Sequence, residues 1–126
     1  MTLSNLIFIL LIWISNNTDY QISKFDYSVN ISEKKIIEEK ACNGKCPIIA
    51  YFDPNVGILI TKGDLEDPCH QSILLHEMIH ALQFSSNKNT FKEYFCFLCI
   101  FLYIFNPYTT CMKFIRKISF NSWKHL

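Results

Sequence analysis

His76, Glu77 and His80 are the residues of this 126-residue chain whose types and spacing could do chemistry. They lie in Ser72-Ile73-Leu74-Leu75-His76-Glu77-Met78-Ile79-His80-Ala81-Leu82-Gln83, where the two histidines stand four positions apart. On a helix such residues sit one above the other, so both imidazoles can close on a single metal ion, with zinc the natural choice for such donors. Glu77, next to the first histidine, can reach a water bound to that metal and take its proton as a general base. The plainer alternative is a buried helix whose histidines find hydrogen-bond partners of their own.

The spacing does this only on a helix, and the flanking residues predict one. Apolar residues at positions 74, 75, 78, 79 and 82 leave a polar stripe that carries both histidines. Asp67-Pro68 opens the helix, with Asp67 as N-cap and Pro68 at the first helical position. It is expected to run to about Phe84, and residues 85–90 read as a loop. Upstream, residues 48–53 and 57–61 are β-branched and aromatic runs separated by Pro54-Asn55-Val56, a hairpin signature. Before them, Cys42-Asn43-Gly44-Lys45-Cys46-Pro47 reads as a turn, and Cys42, Cys46 and Cys69 suggest one disulfide with one thiol left free. Residues 32–41 predict a short helix capped by Ser32, with Ile36, Ile37 and Ala41 on its apolar side. Residues 15–31 read as a polar linker with weak strand character.

The two ends are hydrophobic in different ways. Residues 6–14 are nine consecutive apolar residues, too short for a helical membrane span but right for the centre of a signal peptide. No Lys or Arg precedes them and no small-x-small cleavage site follows, so a buried N-terminal element is the alternative. Export, periplasmic or secreted, is the expectation. Residues 95–105 are apolar without interruption and predict a buried second helix, again too short to cross a bilayer. Residues 112–124 are basic and amphipathic, consistent with packing on the core or with peripheral contact on a membrane surface.

The net charge of +1 hides an asymmetry. Residues 1–86 carry six Lys against ten Asp and Glu, a net of −4, whereas residues 87–126 carry six Lys and Arg against Glu93 alone, a net of +5. Neither part has the dense basic patch of a nucleic-acid binder, so no nucleic acid is expected as a partner. The length suits one domain with a modest core.

The order of cysteine turn, hairpin and helix with His76-Glu77-x-x-His80 resembles the minimal zincin metallopeptidase core. Over about residues 40–86 the chain is similar to small exported bacterial zincin-like proteins. The resemblance implies His76 and His80 as zinc ligands, Glu77 as catalytic general base, and an edge strand that can bind an extended peptide by strand addition. Relatives of the glutamate-ligand (gluzincin) type take a third ligand from a following helix. After His80 the chain has one carboxylate, Glu93, which makes it the expected third ligand, with Cys96 and Cys99 as alternatives. The metzincin pattern is absent, because Ser86 stands where its third histidine would be.

The expected fold is α+β: a small sheet or hairpin packed on the His-Glu-x-x-His helix, followed by a second helix. The expected division is an N-terminal hydrophobic segment or signal peptide over residues 1–18, and a linker and short helix over 19–40. A zincin-like domain over 41–95 and a hydrophobic then basic tail over 96–126 complete it. Three functions follow from different features: a zinc-dependent metallopeptidase (a hydrolase) acting on a peptide or protein, a catalytically inactive zinc-binding or zincin-like remnant with a structural or binding role, and a small membrane-associated protein without metal.

Overall fold

Thr2 begins the first element by accepting the Asn5 N–H on its side-chain oxygen at 3.2 Å, an N-cap for helix α1 (Leu3–Asn17). The structure, a computed structural model, describes residues 1–46 and 48–86. In α1, Leu6, Leu10 and Ile14 recur every fourth residue, and this face is fully buried in the core. Phe8, Ile9 and Ile12 occupy the opposite face and are exposed. The apolar run over residues 6–14 therefore packs here as a core helix.

A single 3-10 turn, Ile22–Lys24, leads to strand β1 (Val29–Ser32), drawn from the region expected to be linker. The helix expected from Ser32 begins later, because Ser32 pairs with Thr61 and is held extended as the last residue of β1. Helix α2 (Lys34–Cys42) follows, with Ile37 and Ala41 buried. Asn43 ends it in the left-handed conformation at φ 55°, its N–H returning to the Glu39 carbonyl at 3.0 Å.

Cys42 and Cys46 are joined by a disulfide across the turn after α2, while Cys69 is not left free. Chain entropy over so short a loop gives about 2 kcal/mol of stabilisation. Replacing both cysteines by Ser is expected to lower the urea-unfolding free energy by that amount, with the far-UV circular dichroism of the folded chain retained.

Strands β2 (Ala50–Asp53) and β3 (Gly57–Thr61) form the expected hairpin. Asp53 organises its turn: its carboxylate accepts the Asn55 N–H at 2.8 Å and its carbonyl the Val56 N–H at 3.1 Å. The three strands lie in the order β1-β3-β2, with β1 parallel and β2 antiparallel to β3. Central β3 is buried from Gly57 through Ile60, which accounts for its continuous apolar run.

Helix α3 (Pro68–Ser86) starts where the sequence places it: the Asp67 carboxylate accepts the Cys69 N–H at 3.1 Å, and its carbonyl accepts the Gln71 N–H at 3.0 Å. The helix lies under β2 and β3 and also touches α1. The Phe52 and Phe84 rings meet edge-on at 6.0 Å between centroids. Among the described residues the result is a small α+β fold of three helices and a three-stranded mixed sheet. The second helix expected over 95–105, the carboxylate of Glu93 and the basic tail lie outside the described residues.

The expected polar stripe of α3 is not a solvent-facing one. Every residue from Ser72 to Leu82 is buried, so α3 is a core helix covered all round. Its histidines face protein.

Candidate functional site

Glu77 points at the sheet. In the antiparallel register Phe52 lies opposite Ile58, and the Thr61 N–H donates to the Ile49 carbonyl at 2.9 Å. That phase turns the backbone groups of Phe52 away from β3, towards the outer edge of β2. The Phe52 N–H donates to the Glu77 carboxyl. The carboxyl is almost wholly buried, and its Oε1 has no hydrogen-bond partner among the described residues. Burial raises its pKa from 4.5 to about 8, against the smaller opposing effect of the Phe52 bond. At neutral pH Glu77 is therefore chiefly a neutral carboxylic acid. It holds a proton that a general base would need to have given up.

The histidines bond to one another. His76 Nε2 and His80 Nε2 stand 2.9 Å apart, and the rings meet edge-on with centroids 4.4 Å apart. His80 Nδ1 lies 3.0 Å from Gln83 Oε1. An amide oxygen only accepts, so this network assigns the proton of His80 to Nδ1 and leaves its Nε2 as a lone pair. His76 must then donate from its own Nε2. The chain of donors runs His76 to His80 to Gln83. Burial lowers His76 well below its ordinary value, with the neighbouring His80 adding to the effect, and lowers His80 to about 4 despite the Gln83 bond. Both rings are neutral at physiological pH.

This arrangement does not suit zinc. Two imidazole nitrogens on one tetrahedral zinc need both lone pairs directed at the ion and stand about 3.4 Å apart. Here one Nε2 carries a proton aimed at the other. Among the described residues, no group of three or more His, Cys, Asp or Glu side chains is placed to hold a metal ion. The expected Zn2+ cofactor, the zinc metallopeptidase activity and the gluzincin-type resemblance that implied them are corrected on that finding. His76 and His80 come together as expected, but as a hydrogen-bonded pair. The expected third ligand Glu93, with Cys96 and Cys99, lies outside the described residues.

Three participants were not identified from sequence. Gln83 is three residues from His80, so helical spacing could have found it. The Phe52 N–H could not be found without the sheet register. His70, buried at the start of α3, donates a ring N–H to the Thr61 carbonyl, and its ring fills the space over Gly63, where an added Cβ would stand 2.6 Å from Cε1. Its Nε2 has no hydrogen-bond partner among the described residues, and burial lowers its pKa.

Comparison with known protein families, with curated proteins and with solved structures finds no match for this chain.

Proposed function

We propose that this chain is a catalytically inactive remnant of the zincin-like arrangement, a sheet packed on a helix bearing His76-Glu77-x-x-His80, that serves as an exported binding module. One observation carries the reading. The groups that could do hydrolytic chemistry are engaged in holding α3 to itself and to the sheet: His76 on His80, His80 on Gln83, and Glu77 on the Phe52 N–H. Glu77 in this way ties α3 to β2, while the histidine pair and Gln83 bond within the helix. Export is supported by the Cys42–Cys46 disulfide, because such bonds form and persist in oxidising compartments. The partner in this reading is a peptide or protein that leaves unchanged.

The test is a quenched-peptide hydrolysis assay on the full chain beside Glu77→Gln and His80→Ala, with the zinc content of each. No turnover above background is expected in any of them. His80→Ala removes the group that His76 Nε2 faces at 2.9 Å and is expected to lower stability by about 1–3 kcal/mol. One zinc per chain in the parent protein, with hydrolysis lost in Glu77→Gln, would overturn the reading.

A further inference from the structure

Two strands lie at the edges of the sheet, and they differ in what their outer backbone groups meet. On β2 the outward Phe52 N–H is occupied by Glu77. On β1 nothing comparable occurs. The Ile58 N–H donates to the Ser28 carbonyl at 2.8 Å, and this sets the phase of the parallel ladder. Ser28, Asn30 and Ser32 turn their backbone groups to β3, so Val29 and Ile31 turn both N–H and C=O outward. Among the described residues no further strand pairs with β1. Ile31 on this strand is 50% exposed.

An open groove of about 590 Å3 adjoins that edge. Ile31, Ile49 and Thr61 supply its apolar surface, and Glu33, Lys34 and Lys62 its charges. Lys34 is engaged with Glu38 at 3.9 Å, whereas Lys62 is in no ion pair among the described residues. Among the described residues the edge thus offers two residues' worth of outward donors and acceptors that no strand pairs, an apolar recess for a side chain, and a cation at one end.

We propose that the free edge of β1 takes an extended acidic peptide as a fourth strand, with an apolar side chain in the groove and a carboxylate against Lys62. Backbone pairing with Val29 and Ile31 supplies affinity, while the alternation of side chains along the added strand supplies selection. The charge of Lys62 favours an acidic over a basic peptide of the same pattern. The proposal rests on the non-catalytic reading only in requiring that the peptide leave uncut.

The experiment uses the full chain, isotope-labelled, and a synthetic capped peptide of alternating Glu and Val, with alternating Lys and Val as its counterpart. Saturable binding of the acidic peptide is expected, with exchange protection gained at the amides of Val29 and Ile31. Ile31→Pro removes one outward donor without touching the ladder to β3 and is expected to weaken binding by about tenfold. Lys62→Glu, at an exposed site, keeps the edge intact and is expected to reverse the preference between the two peptides. Absence of saturable binding, or a preference unmoved by Lys62→Glu, would overturn the proposal. So would concentration-dependent self-association that protects the same amides, since the edge would then be filled by a second copy. Mass spectrometry of the recovered peptide separates the two readings: cleavage would end the non-catalytic one and leave strand addition standing.

Discussion

Gly57→Val is expected to cost about 3 kcal/mol or more, enough to unfold a large part of the population of a domain this small. Gly57 holds φ +108°, a region that side-chain-bearing residues rarely adopt. A Cβ there would collide with the Ser28 carbonyl oxygen and stand 2.7 Å from Ser28 Oγ. Neither can move freely. The same Ser28 carbonyl accepts the Ile58 N–H that begins the β1–β3 ladder, and the Ser28 hydroxyl donates to the Val56 carbonyl at 3.1 Å. One substitution therefore strains the hairpin turn and pushes away the strand that pairs with it. Gly44→Ala is the control, since an added Cβ meets nothing within 4 Å, and it is expected to change stability by less than about 1 kcal/mol. Urea unfolding of the two variants beside the parent measures the difference. Equal effects would mean that Ser28 does not crowd Gly57.

What could be read from the sequence divides along the range of the interactions. Asp67-Pro68 marks the start of α3 because an N-cap and a first-turn proline act within a few residues. The hairpin of β2 and β3 is similarly local, with Pro54-Asn55-Val56 between two β-rich runs, and so is the Cys42–Cys46 turn. Strand β1 escaped because its partner is distant in the chain: Val29 pairs with Ile58, and four residues with two polar members carry little signal alone. Ser32 looked like a helix cap for the same reason, since its pairing with Thr61 could not be seen.

The site failed to read through in a different way. His76-Glu77-x-x-His80 specifies that three side chains share one region of a helix, and they do. It does not specify which way that region faces or where the protons are. Those depend on the outward phase of Phe52, set by the register of β2 on β3, and on Gln83 fixing the tautomer of His80. The same spacing that can close on a metal can equally join two neutral imidazoles. Tertiary placement decides between them.

The buried cluster should give the protein a stability maximum near pH 6.5, falling by about 1 kcal/mol towards pH 8 and by about 2 kcal/mol towards pH 4.5. The alkaline limb belongs to Glu77. Its pKa rises from 4.5 unfolded to about 8 folded, so the folded chain holds the extra proton. That stabilisation is complete at low pH and is lost as pH rises through 8. The acid limb belongs to the histidines. His80 falls from 6.5 to about 4, and His76 falls well below its ordinary value, so below pH 6.5 the unfolded chain binds protons that the folded one refuses. Between pH 4.5 and 6.5 the two histidines oppose and outweigh the single carboxyl. His70, also lowered by burial, steepens this limb. Above pH 6.5 the unfolded histidines finish losing their protons, Glu77 comes to outweigh them, and the slope changes sign. Glu77→Gln keeps the shape and the acceptor for the Phe52 N–H but removes the titration, so its unfolding free energy should rise by about 1 kcal/mol from pH 6.5 to 8 on the histidines alone, while the parent declines. Unfolding free energies in urea across this range measure both curves. A parent profile that rises from pH 6.5 to 8, or a decline that survives in Glu77→Gln, would show that Glu77 does not fold as a neutral acid against β2.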